Sequence, residues 1–330
     1  MLHFKSRPAL LSGLVLLSAG SILFASYAGS MTMGVGDWLD ALANPDSQGG
    51  ALLWQLRLPR ALAAWVVGAM LALSGCLMQV LLRNPLADPY ILGVSGGAAF
   101  AALAGMTLGV AIALIPLLAL VGAFVSILIV FGLARGSGPW SGTRLLLTGV
   151  VTAAGWAALI SLVLATGSDN SLRGMLFWLM GDLSYARLPA WAIAALLAGV
   201  GLTMGMARSL NVLAMGETTA RLLGESTQKL LWSLYALASL LTAAAVAVAG
   251  TIGFVGLIVP HLVRLVTGSD HRLLIPAATL FGGAFLVFSD TLARVVLAPR
   301  QLPVGVITAL LGVPLFLALL NRARIRSLDS

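Results

Sequence analysis

Residues 91–134, ILGVSGGAAFAALAGMTLGVAIALIPLLALVGAFVSILIVFGLA, run for 44 positions without a Lys, Arg, Asp or Glu. A helix crossing the hydrocarbon core of a bilayer needs about 20 apolar residues. The stretch therefore reads as two crossings, with a break near Gly109–Ala111. Seven further charge-free runs cover residues 9–28, 61–82, 145–168, 188–207, 230–263, 273–289 and 301–321. The 230–263 run is again too long for one span and divides at GTIGFVGLIVP, giving one full helix and one short one. The expected fold is an all-α integral membrane protein with about ten transmembrane helices. A single transmembrane domain over 1–330 is expected.

Composition agrees. Sixty per cent of the 330 residues are apolar and 9% charged, and the mean hydropathy is +1.03, far from the balance of soluble domains. The formal charge of +8 is dispersed among loops with no aromatic-interleaved basic patch, which argues against nucleic acid. Placing the N-terminus in the cytoplasm puts 13 of the 19 basic residues on that side, as the positive-inside bias requires. Lys5 and Arg7 then precede a retained first helix rather than a signal peptide, and both termini are cytoplasmic. Arg57, Arg60, Arg173, Arg187, Arg294 and Arg300 remain outside as exceptions.

Between the spans, RNPLADPY (83–90) forms a tight polar elbow. Asp88 followed by Pro89 is a helix-start signal, an acceptor for free amides and a residue that needs no donor. Gly93, Gly97, Ala101, Gly105 and Gly109 follow at every fourth position, a smooth face for close helix packing. The loop 134–144 is glycine-rich but lacks the Lys-Ser ending of a phosphate cradle. In 168–187, Leu172, Met175, Leu176 and Leu179 suggest a short helix on the outer leaflet or at a mouth.

The longest cytoplasmic connection, 208–229, spaces Glu217, Arg221, Glu225 and Lys229 four apart, acid before base. Gly216 and Gly224 predict two short helices and a bend. A structured segment in a chain with so little soluble mass implies a partner. Asp290 and Arg294 stand one helical turn apart in the ninth span, where ionisable residues are expensive.

Cys76 is the one cysteine, so intramolecular disulfides and cysteine metal sites are excluded. No HExxH or GxSxG motif and no acidic cluster is present. Neither catalysis, a cofactor nor a bound metal is expected.

Several stretches together resemble one family: the membrane permease subunits of type II ABC importers for iron-siderophore complexes, vitamin B12 and haem (FecCD-type). They are LRLPR (56–60), SGCLMQVLLRNPLADPYILGVSGGA (74–98), LLLTGV (145–150), MLFWLMGDL (175–183), LNVLAMGETTARLLG (210–224), VAVAGTIGFVGLIVPHLVRLVTGSDHRLLIP (246–276) and SDTLARVVLAPRQLPVGVITALLGVPLF (289–316). They run in order from the second span to the last.

The resemblance implies a homodimer in the bacterial inner membrane, surrounded by lipid, with two ATP-binding ABC subunits below and a periplasmic binding protein above. Arg57, Arg60 and Arg294 match the family's binding-protein docking contacts. Asn84 and Leu86, with Gly142 and Thr143, match its cytoplasmic gate; Gly142 departs from the threonine of a relative. The 208–229 segment, including Leu213, Gly216, Glu217, Arg221 and Gly224, matches its paired ATPase-coupling helices. The substrate class is a large chelate: ferric siderophore, cobalamin or haem. Two other readings stay open, a proton-coupled secondary transporter relaying through Asp290 and His261, and a membrane scaffold without a transport cycle.

Overall fold

A computed structural model of the chain describes residues 7–29, 31, 33–135, 141–184 and 188–328. In order, the helices are α1 (Arg7–Tyr27), α2 (Val35–Ala43), α3 (Gln48–Ala51), α4 (Leu58–Leu81), α5 (Val94–Thr107), α6 (Ile115–Arg135), α7 (Gly142–Thr166), α8 (Asp169–Leu179), α9 (Ala190–Gly205), α10 (Ala207–Ala214), α11 (Glu217–Leu222), α12 (Thr227–Ala249), α13 (Val255–Thr267), α14 (His271–Val295) and α15 (Val304–Leu328). A π-helical turn, Leu52–Arg57, leads into α4, and 3₁₀ turns at Pro89–Leu92 and Ile112–Leu114 precede α5 and α6.

Among the described residues, six helical stretches are long and apolar enough to cross a membrane, a seventh is the pair α9 and α10 bent by 59°, and three shorter apolar helices lie in α5, α13 and the first part of α15. These make up the ten expected crossings. The end of the bundle carrying residues 82–93 is called the elbow face below, and the end carrying residues 29–57 the opposite face.

Both long charge-free runs divide where they should. The first breaks after Thr107, with Gly109 at φ +70°. The second breaks at Gly250–Phe254, where α12 ends on a glycine at φ +69° and α13 starts after Phe254 at φ +70°.

The helix α4 is the core: most of its residues are buried, whereas α7 buries only Leu145 and Gly149. Lipid offers no hydrophobic drive for helices to associate, so close backbone packing and polar contacts hold such bundles. On α4, a Cβ at Gly68 would occupy the place of the Gly282 carbonyl of α14, and one at Gly282 would meet the Gly68 carbonyl and Ala72. Gly97 of α5 and Gly122 of α6 make the same reciprocal seat. The expected glycine face is thus used for packing. Buried hydroxyls complete the joints: Ser74 Oγ donates to the Ala238 carbonyl at 2.8 Å, Tyr235 OH to that of Ile127 at 2.9 Å, and Ser18 Oγ to that of Leu280 at 2.9 Å.

One element lies differently from the leaflet-surface alternative. Rather than resting on a surface, α8 turns inward: Met175 is fully buried, and the Leu179 carbonyl accepts from Thr251 Oγ1 in the break before α13. Tyr185 and Arg187 lie outside the described residues.

Candidate functional site: a path between two polar ends

At the opposite face the arginines converge on the end of α1. The last carbonyls of a helix have no intrahelical partner and carry the negative end of its dipole. Arg57, 5% exposed, donates from Nη1 to the carbonyls of Ser26 (3.1 Å) and Tyr27 (2.6 Å) and from Nη2 to that of Met31 (2.6 Å). Arg294, 4% exposed, donates to the carbonyls of Ala25 (3.2 Å) and Ala28 (3.3 Å). Together they form a cationic collar on that helix terminus.

Asp290 is buried between two of these cations, 2.8 Å from Arg60 and 3.2 Å from Arg294. Arg60 also donates to Gln301 Oε1 at 2.8 Å. Of the three arginines matched to docking contacts, Arg60 keeps the largest outward edge, at 12% of its side chain. The i,i+4 pair within α14 forms as its spacing suggests, and Arg60 from α4 makes it a triad.

His261 does not join that triad. Asp290 stands about 28 Å along α14 from its elbow-face start, and His261 about 9 Å from the adjoining end of α13, at 1.5 Å per residue. Direct proton transfer between them is out of reach, so this arrangement does not favour the relay.

Between the two faces lies a cavity of about 620 Å³, lined by residues that include Tyr90, Ser95, Ala99, Leu179, Phe254 and Leu310, with no charged side chain among them. Tyr90 OH donates to the Ile252 carbonyl (3.0 Å) and accepts from its N–H (2.9 Å). Thr251 Oγ1 is held by Leu179. Two of the lining's hydroxyls therefore bond within the chain and leave a largely apolar wall. Nothing in the sequence marks this cavity: its wall comes from the 3₁₀ turn at Pro89–Leu92, α5, α7, α8, the α12–α13 break and α15, each of which reads alone as a packing surface.

The elbow follows directly on the end of α4. The Arg83 N–H donates to the Val80 carbonyl (3.2 Å) and the Asn84 N–H to that of Gln79 (3.1 Å), the two bonds of a Schellman ending for α4. Asn84 Oδ1 then accepts from the Leu86 N–H (2.9 Å), and the Asn84 carbonyl from the Ala87 N–H (3.0 Å). Asn84 thus shapes its own turn and leaves Leu86 exposed.

Asp88 caps as expected, accepting from the Tyr90 N–H at 2.8 Å. The helix it starts is the short 3₁₀ turn, however, and Gly93 at φ +71° separates that turn from α5. Gly142 and Thr143 open α7 behind the cap Ser141, whose Oγ accepts from the Arg144 N–H; residues 136–140 lie outside the described set. Further along, α7 meets the elbow where Gly149 packs on Ile91 and Leu92. That contact joins α7 to the 3₁₀ turn at the end of the elbow, not Gly142 or Thr143 to Asn84 or Leu86.

Burial pushes the Asp88 carboxyl up to about 6, partly opposed by the Tyr90 N–H. A carboxyl raised in this way favours the folded state when protonated, so its contribution is present below about pH 4 and is lost as pH rises through 6. Asp88→Asn keeps the acceptor for Tyr90. The parent should lose thermal stability between pH 4 and 7, measured by unfolding in detergent, and Asp88→Asn should abolish that fall. An unchanged slope would place the titrating group elsewhere.

Beside the elbow, 207–224 forms the two expected helices with a bend at Gly216 (φ +116°) and an end at Gly224 (φ +84°). Leu210, Leu213 and Ala220 are buried, whereas Met215, Leu222 and Leu223 are exposed, Leu222 at 84%. Glu217 pairs with Arg221 at 2.6 Å and with Arg83 of the elbow at 2.5 Å. The other spaced pair does not form: after Gly224 the helix ends, and Glu225 accepts from Ser209 Oγ (2.9 Å) instead. Asn211 fastens α10 to the start of α14, donating to Asp270 (2.9 Å) and accepting from the His271 N–H (2.8 Å). Hydrogen bonds from Asn211 and the Arg272 N–H hold the Asp270 carboxyl below the usual range.

A model of the FecCD transport family matches residues 14–322. The hemin transport system permease protein of Yersinia pestis is 44% identical over 283 residues, 82% of this chain and 84% of that one. The vitamin B12 import system permease protein of Klebsiella pneumoniae is 39% identical over 320 residues, 95% of this chain and 94% of that one. A cobalamin import system permease protein of Halobacterium salinarum is 44% identical over 279 residues, 83% of this chain and 74% of that one. A solved structure described as an inward-facing metal-chelate type ABC transporter superposes with a TM-score of 0.83 at 31% identity, covering 96% of this chain and 99% of that one.

Proposed function

The chain belongs to the FecCD transport family, and from that premise we propose that it is the permease subunit of an ABC importer. It carries a large metal chelate, cobalamin, haem or a ferric siderophore, across the bacterial inner membrane into the cytoplasm. Two copies enclose the path, separate ATPase subunits dock on the elbow face, and a binding protein delivers cargo to the opposite face. The chain itself carries out no catalysis.

The observation that carries this reading is the folded 207–224 segment. Its buried Leu213 and Ala220 hold it against the bundle while Met215, Leu222 and Leu223 remain exposed at a face bearing charged loops. Exposed apolar residues grouped on a polar rim mark a protein contact. The likeness to permeases named for vitamin B12 and hemin supports the cargo class. So does the uncharged cavity wall, which offers no charged side chain to hold a ligand tightly. In this reading Asn84 and Leu86 with Gly142 and Thr143 form the inner gate, and Arg60 is the arginine best placed to meet acidic side chains of the binding protein.

The test is reconstitution with the cognate ATPase and binding protein in proteoliposomes, offering cyanocobalamin, hemin and a ferric hydroxamate. ATP-dependent accumulation of one of them is expected, with none on a proton gradient alone. Uptake driven by the gradient without ATPase subunits would overturn the reading in favour of a secondary transporter. Leu222→Glu, at an exposed side chain, should abolish ATPase co-purification and leave the permease folded. An intact complex would move the contact elsewhere.

A further inference from the structure

Arg83 occupies a position where most helices place glycine. The Schellman ending of α4 requires a left-handed residue at this site, and Arg83 adopts φ +49°, a conformation that a Cβ disfavours. Its guanidinium lies 2.5 Å from Glu217 Oε2, the first residue of α11. Glu217 is also held by Arg221 one turn later and follows the bend at Gly216. The next residue after Arg83 is Asn84, whose side chain builds the turn that presents Leu86.

A cation in a strained backbone position, aimed across a gap of 134 residues in sequence at a carboxylate fixed on another element, needs a reason beyond topology. Topology is satisfied by a charge anywhere in the loop.

Building on the importer reading, we propose that Arg83 and Glu217 form a strut through which movement of the 207–224 segment repositions the elbow, and with it Leu86. Both act as positioning residues and neither touches cargo. The geometry suits the task. Glu217 sits at the N-terminus of α11, so a rotation of that helix about Gly216 carries the carboxylate with it. The backbone N–H groups of Arg83 and Asn84 are both bonded into the end of α4, so a pull on the Arg83 side chain is passed to the turn that follows. The second attachment of the segment, through Asn211 to Asp270 and His271, holds α10 to α14. α11 is tethered instead through buried Ala220 and through Arg221 Nε, which donates to Thr227 Oγ1 at 3.1 Å, so its movement is a pivot about Gly216 rather than a release.

The test uses the permease with its ATPase in nanodiscs, a Cys76→Ala background, and a nitroxide at Leu86→Cys or at Thr218→Cys on α11. In the parent, ATP with vanadate should change both spectra. Glu217→Gln and Arg83→Gly should each reduce the response at 86 by about fivefold or more, and Arg83→Gly, on the elbow, should leave the response at 218 intact. Arg83→Gly relieves the backbone and cannot fail merely by unfolding the turn. The exchange Arg83→Glu with Glu217→Arg should recover most of the response at 86.

An undiminished response at 86 in both single variants overturns the strut. A parent in which ATP moves neither label overturns the importer reading and the strut with it. A response at 218 alone in the parent leaves the importer reading standing and refutes the strut.

Discussion

Asp290→Ala should be the most damaging single change on the opposite face, costing about 3–5 kcal/mol. The carboxylate is 1% exposed and is shared by Arg60 at 2.8 Å and Arg294 at 3.2 Å. Its removal leaves two guanidinium groups side by side without a counter-charge, one of them buried. A buried pair contributes little beyond a well-packed apolar substitute, but a pair broken from one side leaves an uncompensated charge in a medium that cannot solvate it. Thermal unfolding of the purified protein in mild detergent is the measurement. Asp290→Asn should fall nearly as far, since it keeps volume and an acceptor but not the charge. If Asp290→Asn matches the parent, hydrogen bonding rather than charge holds the triad. If the alanine variant also matches, the triad does not stabilise the fold.

Arg57→Glu should be nearly as severe, for a different reason. The guanidinium satisfies the carbonyls of Ser26, Tyr27 and Met31, and an acid there would set a negative group against three acceptors at the negative end of the α1 dipole. Arg57→Met separates the two roles the residue could have. It fits the apolar volume but leaves the carbonyls unpaired, at about 1–3 kcal/mol for each buried group that water does not reach. Thermal stability should fall in the permease alone, with no binding protein present. A stable Arg57→Met protein whose only defect is weaker, salt-sensitive binding of the binding protein would restore docking as its main role.

These arginines show where sequence stops being informative. The spans are legible because the length of a charge-free run is set by bilayer thickness, and the breaks at Gly109 and Gly250 because glycine is what a left-handed turn asks for. The two short helices of 207–224 are legible for the same reason at Gly216 and Gly224. Arg57 and Arg294 stand out as exceptions to the charge rule, but nothing local says whether such a side chain faces outward or reaches a helix end 31 or 269 residues away.

Asp290 shows half of its environment in the spacing to Arg294 and none of its pairing with Arg60. The left-handed conformation of Arg83 is hidden because the usual signal there is a glycine, and an arginine in its place costs roughly 1–2 kcal/mol. The cavity is hidden because apolar residues on six segments look the same whether they meet a helix or an opening.

The reciprocal glycine seats of α4 and α14 limit how this bundle can change shape. With the Gly282 carbonyl lodged where a side chain of α4 would stand, and the Gly68 carbonyl lodged in return, neither helix can slide along the other without driving backbone into backbone. The two form a keel. Any motion that opens and closes the molecule has to be carried by helices that have no such seat. Within this chain the least buried span is α7, 25 residues long, whose contacts gather along one side at Gly149, Ala153 and Trp156.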